Sequence, residues 1–555
     1  MLGLYARCVF HMRPSQAAWF LWRRGLGLQG GAPGAAAPSL RRRVSIGPRL
    51  GPPTLQPAPW SLRFLNATRA FPAGAIDWVC SDAPKLWRYN LHYHDFLHDP
   101  AYGADEQARV IDGWIAWNPV GRGDGWEPYT VSLRIVNWVK LFLQPPWRGE
   151  VPDAWLGSLA QQARWLERSV ERHILANHYL KNGKALFFAG AYFEGPEAER
   201  WLREGARILA EEVDEQLLAD GGHYERSPMY HSIVTEDYLD VLNPAAESEG
   251  LLDDALWAKL AGRARKALEF LDTVCFPDGQ IPLFNDAAFR IAPTPGDLFG
   301  YGERVVGFAQ RSPAVGVALT SLGKTGYYVV RDGADMLVVD CGRIGPDYQP
   351  GHAHCDTLSY ELALDGRRVV VDSGVQDYED SPTRRYARST RAHNTVSVDG
   401  AEQSEVWGVF RVGRRARPLG ARLAAVGAGG ARFEGGHDGF RYLPGRPVHW
   451  RTIDYQTPGI WAVEDRIEGR GRHRIESYVH LHPDLKVERV GAEWGITTAD
   501  GTRVAVFEPA ADTGVRVESG WYFPEFGRVL ENPLIVLSAE GTLPLTIAYR
   551  IRKVH

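Results

Sequence analysis

One change of hydrophobic period, near residue 315, constrains this chain more than any other feature. Before it, apolar side chains recur every three to four residues; after it, they alternate in short runs closed by Asp-Gly pairs. The first spacing belongs to amphipathic helices on a shared core, the second to half-buried antiparallel strands. Leu156, Leu159, Trp165, Leu166, Val170 and Ile174 form one stripe. Trp201, Leu202, Ile208, Leu209 and Val213 form a second, and Leu256, Leu260, Leu268 and Leu271 a third. Together they predict a nearly all-helical region over 87–310. Asp332-Gly333, Asp365-Gly366, Asp399-Gly400 and Asp500-Gly501 punctuate the later strands, which predicts hairpins stacked into a β-sandwich rather than a parallel sheet.

The length, 555 residues, exceeds the roughly 250–300 residues that one core sustains, so more than one domain is expected. Residues 25–60, rich in Gly, Pro and Ala around Arg41-Arg42-Arg43, read as a poorly structured connector. Ala17–Trp22 is too short for the apolar part of a secretory signal, so there is no clear signal peptide. A cytoplasmic location is the default, and a periplasmic one needs an atypical export signal or a different start. No apolar run of about 18 residues exists, so no integral membrane segment is expected. A net charge of −4 argues against a globally basic nucleic-acid binder. Five scattered cysteines without a CxxC pair do not make a disulfide framework. The 19 Trp, 22 Tyr and 21 Phe supply core volume or platforms for sugar rings.

Four clusters are dense in His, Tyr, Asn and Arg. Asn177-His178-Tyr179 closes a helical pattern and reads as a carboxylate site or a helix cap. Gly221 to His231 holds Tyr224, Arg226 and Tyr230, where a base beside a cation would have a lowered pKa. Gly351-His352-Ala353-His354 opens a strand, which would point both imidazoles to one face. Val371 to Val396 contains Arg384, Arg385, Arg388 and Arg391, read as an anionic-substrate channel or a solvated basic loop. Asp372, His393 and one imidazole of the His-Ala-His pair make a set that suits zinc. No Gly-x-Ser-x-Gly elbow is present, which disfavours a serine hydrolase.

In this order the clusters, with Leu86-Trp87-Arg88-Tyr89-Asn90-Leu91-His92-Tyr93 ahead of them, resemble the heparinase II/III-like polysaccharide lyases. The resemblance covers about 85–550. It implies an incomplete α/α toroid over 85–312, preceded by a segment over 1–84, and an antiparallel β-sandwich over 313–555, with the substrate between them. It implies β-elimination at a uronic acid: a base removes the C5 proton and the 4-O bond breaks. In that reading Asn177 and His178 neutralise the carboxylate, Tyr230 and His352 move protons, and Tyr224 competes with Tyr230 for the tyrosine role. Tyr224, Arg226, Trp126, Arg388 and Trp407 contact substrate, with Trp87 and Tyr129 as further aromatic platforms. His354, Asp372 and His393 hold a structural zinc ion, and no organic cofactor is implied. The partner is an acidic polysaccharide. Two other readings stay open. One is a polysaccharide-binding or exopolysaccharide-assembly protein on the same scaffold. The other is a glycoside hydrolase using Glu225, Glu236 or Asp237.

Overall fold

The computed structural model describes residues 2–26, 36–41, 43–52, 54–312 and 316–554. Two short helices, α1 (Leu2–Phe10) and α2 (Pro14–Leu26), come first. The helical region holds α3 (Lys85–Tyr93), α4 (Ala104–Trp117), α5 (Pro128–Phe142), α6 (Asp153–Ser169), α7 (Ala176–Tyr192), α8 (Pro196–Gln216), α9 (Pro228–Glu247), α10 (Asp254–Val274) and α11 (Pro295–Val306). The predicted stripes face its core: Leu159, Leu166, Trp201, Ile208, Leu209, Val213, Leu260, Leu268 and Leu271 are all buried.

Helix α7 lies deepest, with every residue except His178 buried. Glycine permits this. A Cβ on Gly190 would stand 2.4 Å from the Leu202 nitrogen, and one on Gly205 2.4 Å from the Phe187 nitrogen, so α7 and α8 touch backbone to backbone.

The β region contains a five-stranded meander running from Val317–Leu322 to Arg367–Val370. It also contains a four-stranded sheet, ordered Gly514–Tyr522, Leu530–Thr542, Arg472–His480 and Val396–Val398. An antiparallel bridge between Val370 and Leu481 links these two sheets. Both share one core with an eight-stranded sheet that includes Val448–Gln456 and Leu545–Lys553, which makes the expected sandwich. Among the described residues the pairings within these three sheets are antiparallel, and the four Asp-Gly pairs lie at turns between or beside strands.

The meander departs from the half-buried expectation. Tyr328, Val330, Leu337 and Val339 face the sandwich core, while Tyr327, Val329, Met336, Val338 and Ala363 pack against Phe270 and Val274 of α10. The helical region therefore covers the outer face of the sheet, and alternation gives way to continuous burial.

The connector is also firmer than its composition implied. The described residues of 36–60 form no helix, yet Leu40 bridges Phe193. Gly47 N–H donates to Asn243 Oδ1 at 2.7 Å and Gln56 N–H to Asp99 Oδ2 at 2.7 Å. The order comes from the helices beneath, which local composition cannot report. Arg42, Pro53 and residues 27–35 of that stretch lie outside the described residues, as does the predicted boundary at 313.

Candidate active site

A cavity of about 780 Å³ opens along the seam between the helical and β regions. Asn177, His178 and Tyr230 line it from the helices, and His352, Tyr378 and Phe410 from the β region.

Asn177 and His178 begin α7. The chain enters that helix through Leu175 and Ala176, both left-handed at φ 65° and 54°, a conformation that costs non-glycine residues energy. Asn182 holds the turn: its Oδ1 accepts from Glu171 N–H at 2.7 Å, and Leu175 N–H donates to Glu171 O. Glu171 Oε1 in turn meets His178 Nδ1 at 3.1 Å, and the Tyr129 ring lies 4.4 Å from the imidazole. Burial opposes charge on His178, but the Glu171 carboxylate, helped by Glu225 and Glu127, outweighs it and raises the pKa. The resulting stability contribution is complete below about 6.5 and fades as pH rises through the raised value. Glu171→Gln is expected to move the His178 titration to lower pH, read by NMR of the ring protons. An unmoved titration would separate the two residues.

Tyr230 sits in the first turn of α9. Ser227 Oγ caps that helix, accepting from Tyr230 N–H at 3.2 Å and donating to Asp286 O at 2.6 Å, and Pro228 opens it. The Tyr230 ring stacks on His352 with centroids 3.9 Å apart and planes 14° apart. Its hydroxyl is 3.1 Å from that of Tyr378. The expected lowered pKa is corrected: burial, with Tyr378 and Tyr129 nearby, raises Tyr230 well above 10. The phenol therefore keeps its proton at rest.

His352 Nδ1 meets Glu225 Oε2 at 2.5 Å. Burial disfavours the Glu225 carboxylate, but His352 more than offsets this and lowers its pKa. The loop bearing Glu225 tucks in because Gly221 is left-handed at φ 89° and Gly222 has no room for a side chain, its Cβ falling 1.9 Å from Thr325 Oγ1. The His-Ala-His segment is a loop, not a strand. Asp286 N–H donates to His352 O at 3.0 Å and His354 N–H to Asn285 Oδ1 at 3.0 Å, so the two imidazoles part company. His352 faces the cavity, while His354 is fully buried with Nε2 2.7 Å from Asp286.

Of the expected metal set, His354 lies beside His393, and His393 beside Asp372. The two imidazole centroids are 5.3 Å apart, and His393 Nδ1 lies 2.9 Å from Asp372. Buried His354 Nδ1 and His393 Nε2 have no hydrogen-bond partner, which fits two donors to a zinc ion. Asp372 is engaged by His393 and Ser359. Among the described residues, no three His, Cys, Asp or Glu side chains converge as a metal site.

The substrate-contact expectations fare differently. Tyr129 lines the cavity, but Tyr224, Arg226, Trp87, Trp126, Arg388 and Trp407 do not. Tyr224 is buried against His223, and Arg226 pins the turn through Thr325 O and Tyr224 O. Trp126 and Trp87 are themselves buried, donating to Asn118 O and to Ala67 O. Trp407 packs on Tyr5 of α1. The arginine channel is likewise corrected. Arg388 binds the carbonyls of Ala353, Gly408, Val409 and Arg411, Arg384 pairs with buried Asp286, Arg391 with Glu518, and Arg385 with exposed Asp380. Of the hydrolase candidates, Glu225 is engaged by His352 and Asp237 by Lys181 and Lys184; only Glu236 lines the cavity. No spacing in the sequence marks Tyr378, Phe410, Asn285 or Glu171, which the fold brings to the site or its supports.

Against known families, residues 66–292 match the Heparinase II/III N-terminus and residues 315–549 the Heparinase II/III-like, C-terminal domain. The chain belongs to the heparinase II/III-like family. The heparin-sulfate lyase of Pedobacter heparinus is 26% identical over 342 residues, 57% of this chain and 51% of that protein. The heparin-sulfate lyase of Bacteroides thetaiotaomicron is 27% identical over 385 residues, 59% of this chain and 54% of that one. The chain thus spans about half the length of these two relatives. FtsZ-localized protein C of Caulobacter vibrioides is 26% identical over 72% of this chain and 70% of its own length. The crystal structure of heparinase III superposes with a TM-score of 0.69 at 20% identity, over 87% of this chain and 80% of that one, a likeness of fold. This heparinase II/III-like chain therefore has the expected helical region followed by an antiparallel β domain.

Proposed function

We propose that the protein is a polysaccharide lyase that cleaves a uronate-containing acidic polymer by β-elimination. The observation carrying this reading is the stacked Tyr230–His352 pair, which sets a protonated phenol and a carboxylate-anchored imidazole side by side on one cavity wall.

The difficult step is removal of a C5 proton next to a carboxylate, because negative charge builds up on that group in the transition state. Asn177 and the cationic form of His178 lie at the start of α7, and Tyr230 in the first turn of α9. Both helix N-termini present partial positive charge to an anion. Glu225 accepts Nδ1–H of His352, which leaves Nε2 as the base. The C5–H electron pair becomes the C4–C5 double bond as the C4–O4 bond breaks, and the Tyr230 hydroxyl protonates the departing oxygen. Each proton transfer contributes roughly 10²–10⁴-fold.

The test is a screen of acidic polysaccharides (heparosan, heparan sulfate, hyaluronan, alginate, bacterial exopolymers) for the absorbance of an unsaturated uronate. Polymer binding without that absorbance would replace the lyase with a binding protein on the same scaffold. The relative FtsZ-localized protein C, named for a location rather than an activity, keeps that second reading in play.

The same reading places a structural zinc ion at His354 and His393, with Asp372 completing the set by leaving its imidazole partner. Elemental analysis is expected to find about one zinc per chain. Zinc-free protein with an unchanged melting temperature would remove the ion from the account.

A further inference from the structure

Helices α1 and α2 are joined by a short turn, and several of their side chains engage the rest of the chain. Arg7 makes two bonds to Glu405, and Tyr5 stacks edge-on against Trp407. Arg13 pairs with Glu215. The guanidinium of Arg172 lies over Trp19. Other side chains here are apolar and exposed, Val9, Phe10, Leu21 and Trp22 at 60%, 85%, 69% and 45%. Of the fifteen exposed large apolar side chains among the described residues, six fall between Tyr5 and Trp22. Such clustering marks a surface that is covered by something else.

Charge identifies the cover. The two helices and their turn carry Arg7, Arg13, Arg23 and Arg24 and no Asp or Glu, although the whole chain carries −4; Arg7 and Arg13 are taken by Glu405 and Glu215, which leaves Arg23 and Arg24 as the remaining charge of the segment. The helices have 9 and 13 residues, well short of the roughly 20 needed to span a bilayer. Among the described residues, no helix is long and apolar enough to cross a membrane. Short helices that expose Val9, Phe10, Leu21 and Trp22 and carry only arginine as charge suit the headgroup plane of anionic lipid.

We infer that the α1–α2 segment is a peripheral anchor that docks the protein on an anionic membrane, with Phe10, Leu21 and Trp22 inserted at the interface. This stands apart from the lyase reading and does not depend on it.

The experiment is co-sedimentation of the full chain with vesicles of phosphatidylcholine and phosphatidylglycerol, against vesicles of phosphatidylcholine alone. Binding is expected to be at least about tenfold stronger on the anionic vesicles and to weaken as salt is raised. The triple variant F10E/L21E/W22E is expected to lose about tenfold or more of that binding with an unchanged melting temperature, while V490E, altered at an exposed apolar site elsewhere, retains it. Equal or absent binding to both vesicle types overturns the inference, as does full binding by the triple variant. A dimer in vesicle-free solution that the triple variant dissociates would assign the surface to a second copy instead.

Discussion

Tyr230→Phe is expected to abolish formation of the unsaturated product, with a fall in kcat of about 10²–10⁴-fold, while the melting temperature changes little. The substitution removes one oxygen and keeps the ring, so the stack on His352 at 3.9 Å survives and the Ser227 cap of α9 is untouched. What disappears is the only proton donor in the proposed scheme that faces the cavity with its proton secured by burial. Tyr378→Phe provides the contrast. It deletes the hydroxyl bonded to Tyr230 at 3.1 Å but no proposed transfer, and should cost far less. A Tyr230→Phe enzyme that still produces the double bond at the parent rate would falsify the assignment of that tyrosine.

Arg384→Ala is expected to destabilise the fold by about 3–5 kcal/mol, measured by denaturant unfolding. Asp286 is fully buried and held from two sides, by the forked guanidinium of Arg384 and by His354 Nε2 at 2.7 Å. Burial alone would push the Asp286 carboxyl up, but Arg384 and His354 hold it well below the usual carboxylate range. Such a group contributes stability that is fully present above its unfolded pKa of about 3.9 and is lost as pH falls below it. The gap between parent and variant should therefore narrow in acid. Arg384→Lys should fall between them, because an ammonium cannot reproduce the two-pronged contact. If Arg384→Ala instead weakened polymer binding at unchanged stability, the arginine would return to the substrate-contact role its sequence position had implied.

Arginine 384 also illustrates where sequence reasoning stops. The period change near 315, the helical stripes and the Asp-Gly turns report local geometry, and local geometry is what periodicity encodes. Asn177, His178, Tyr230 and His352, which line the cavity, lie in motifs that the family resemblance makes legible. Their neighbours do not, since Glu171, Asn285 and Tyr378 act across the fold and no short spacing joins them to their partners. The arginine run was misread for a related reason. A sequence displays charge but not the buried carboxylates and carbonyls that absorb it. Tryptophan misled in the same way: Trp87 and Trp126 satisfy their indole N–H groups on backbone oxygens inside the core rather than presenting a face to sugar.

The meander with both faces covered bears on how this molecule can be divided. Two family descriptions meet between residues 292 and 315, which invites treating the chain as two portable modules. Yet Tyr327, Val329, Met336, Val338 and Ala363 rest on Phe270 and Val274 of the preceding segment. A fragment starting at the sheet would expose a broad sticky wall to solvent, and one ending at the helices would lose the floor under α10. The join is a landmark in the text of the sequence, while in the folded body the parts have fused, and recombination at that point would yield chimeras that aggregate unless both partners of the contact travel together.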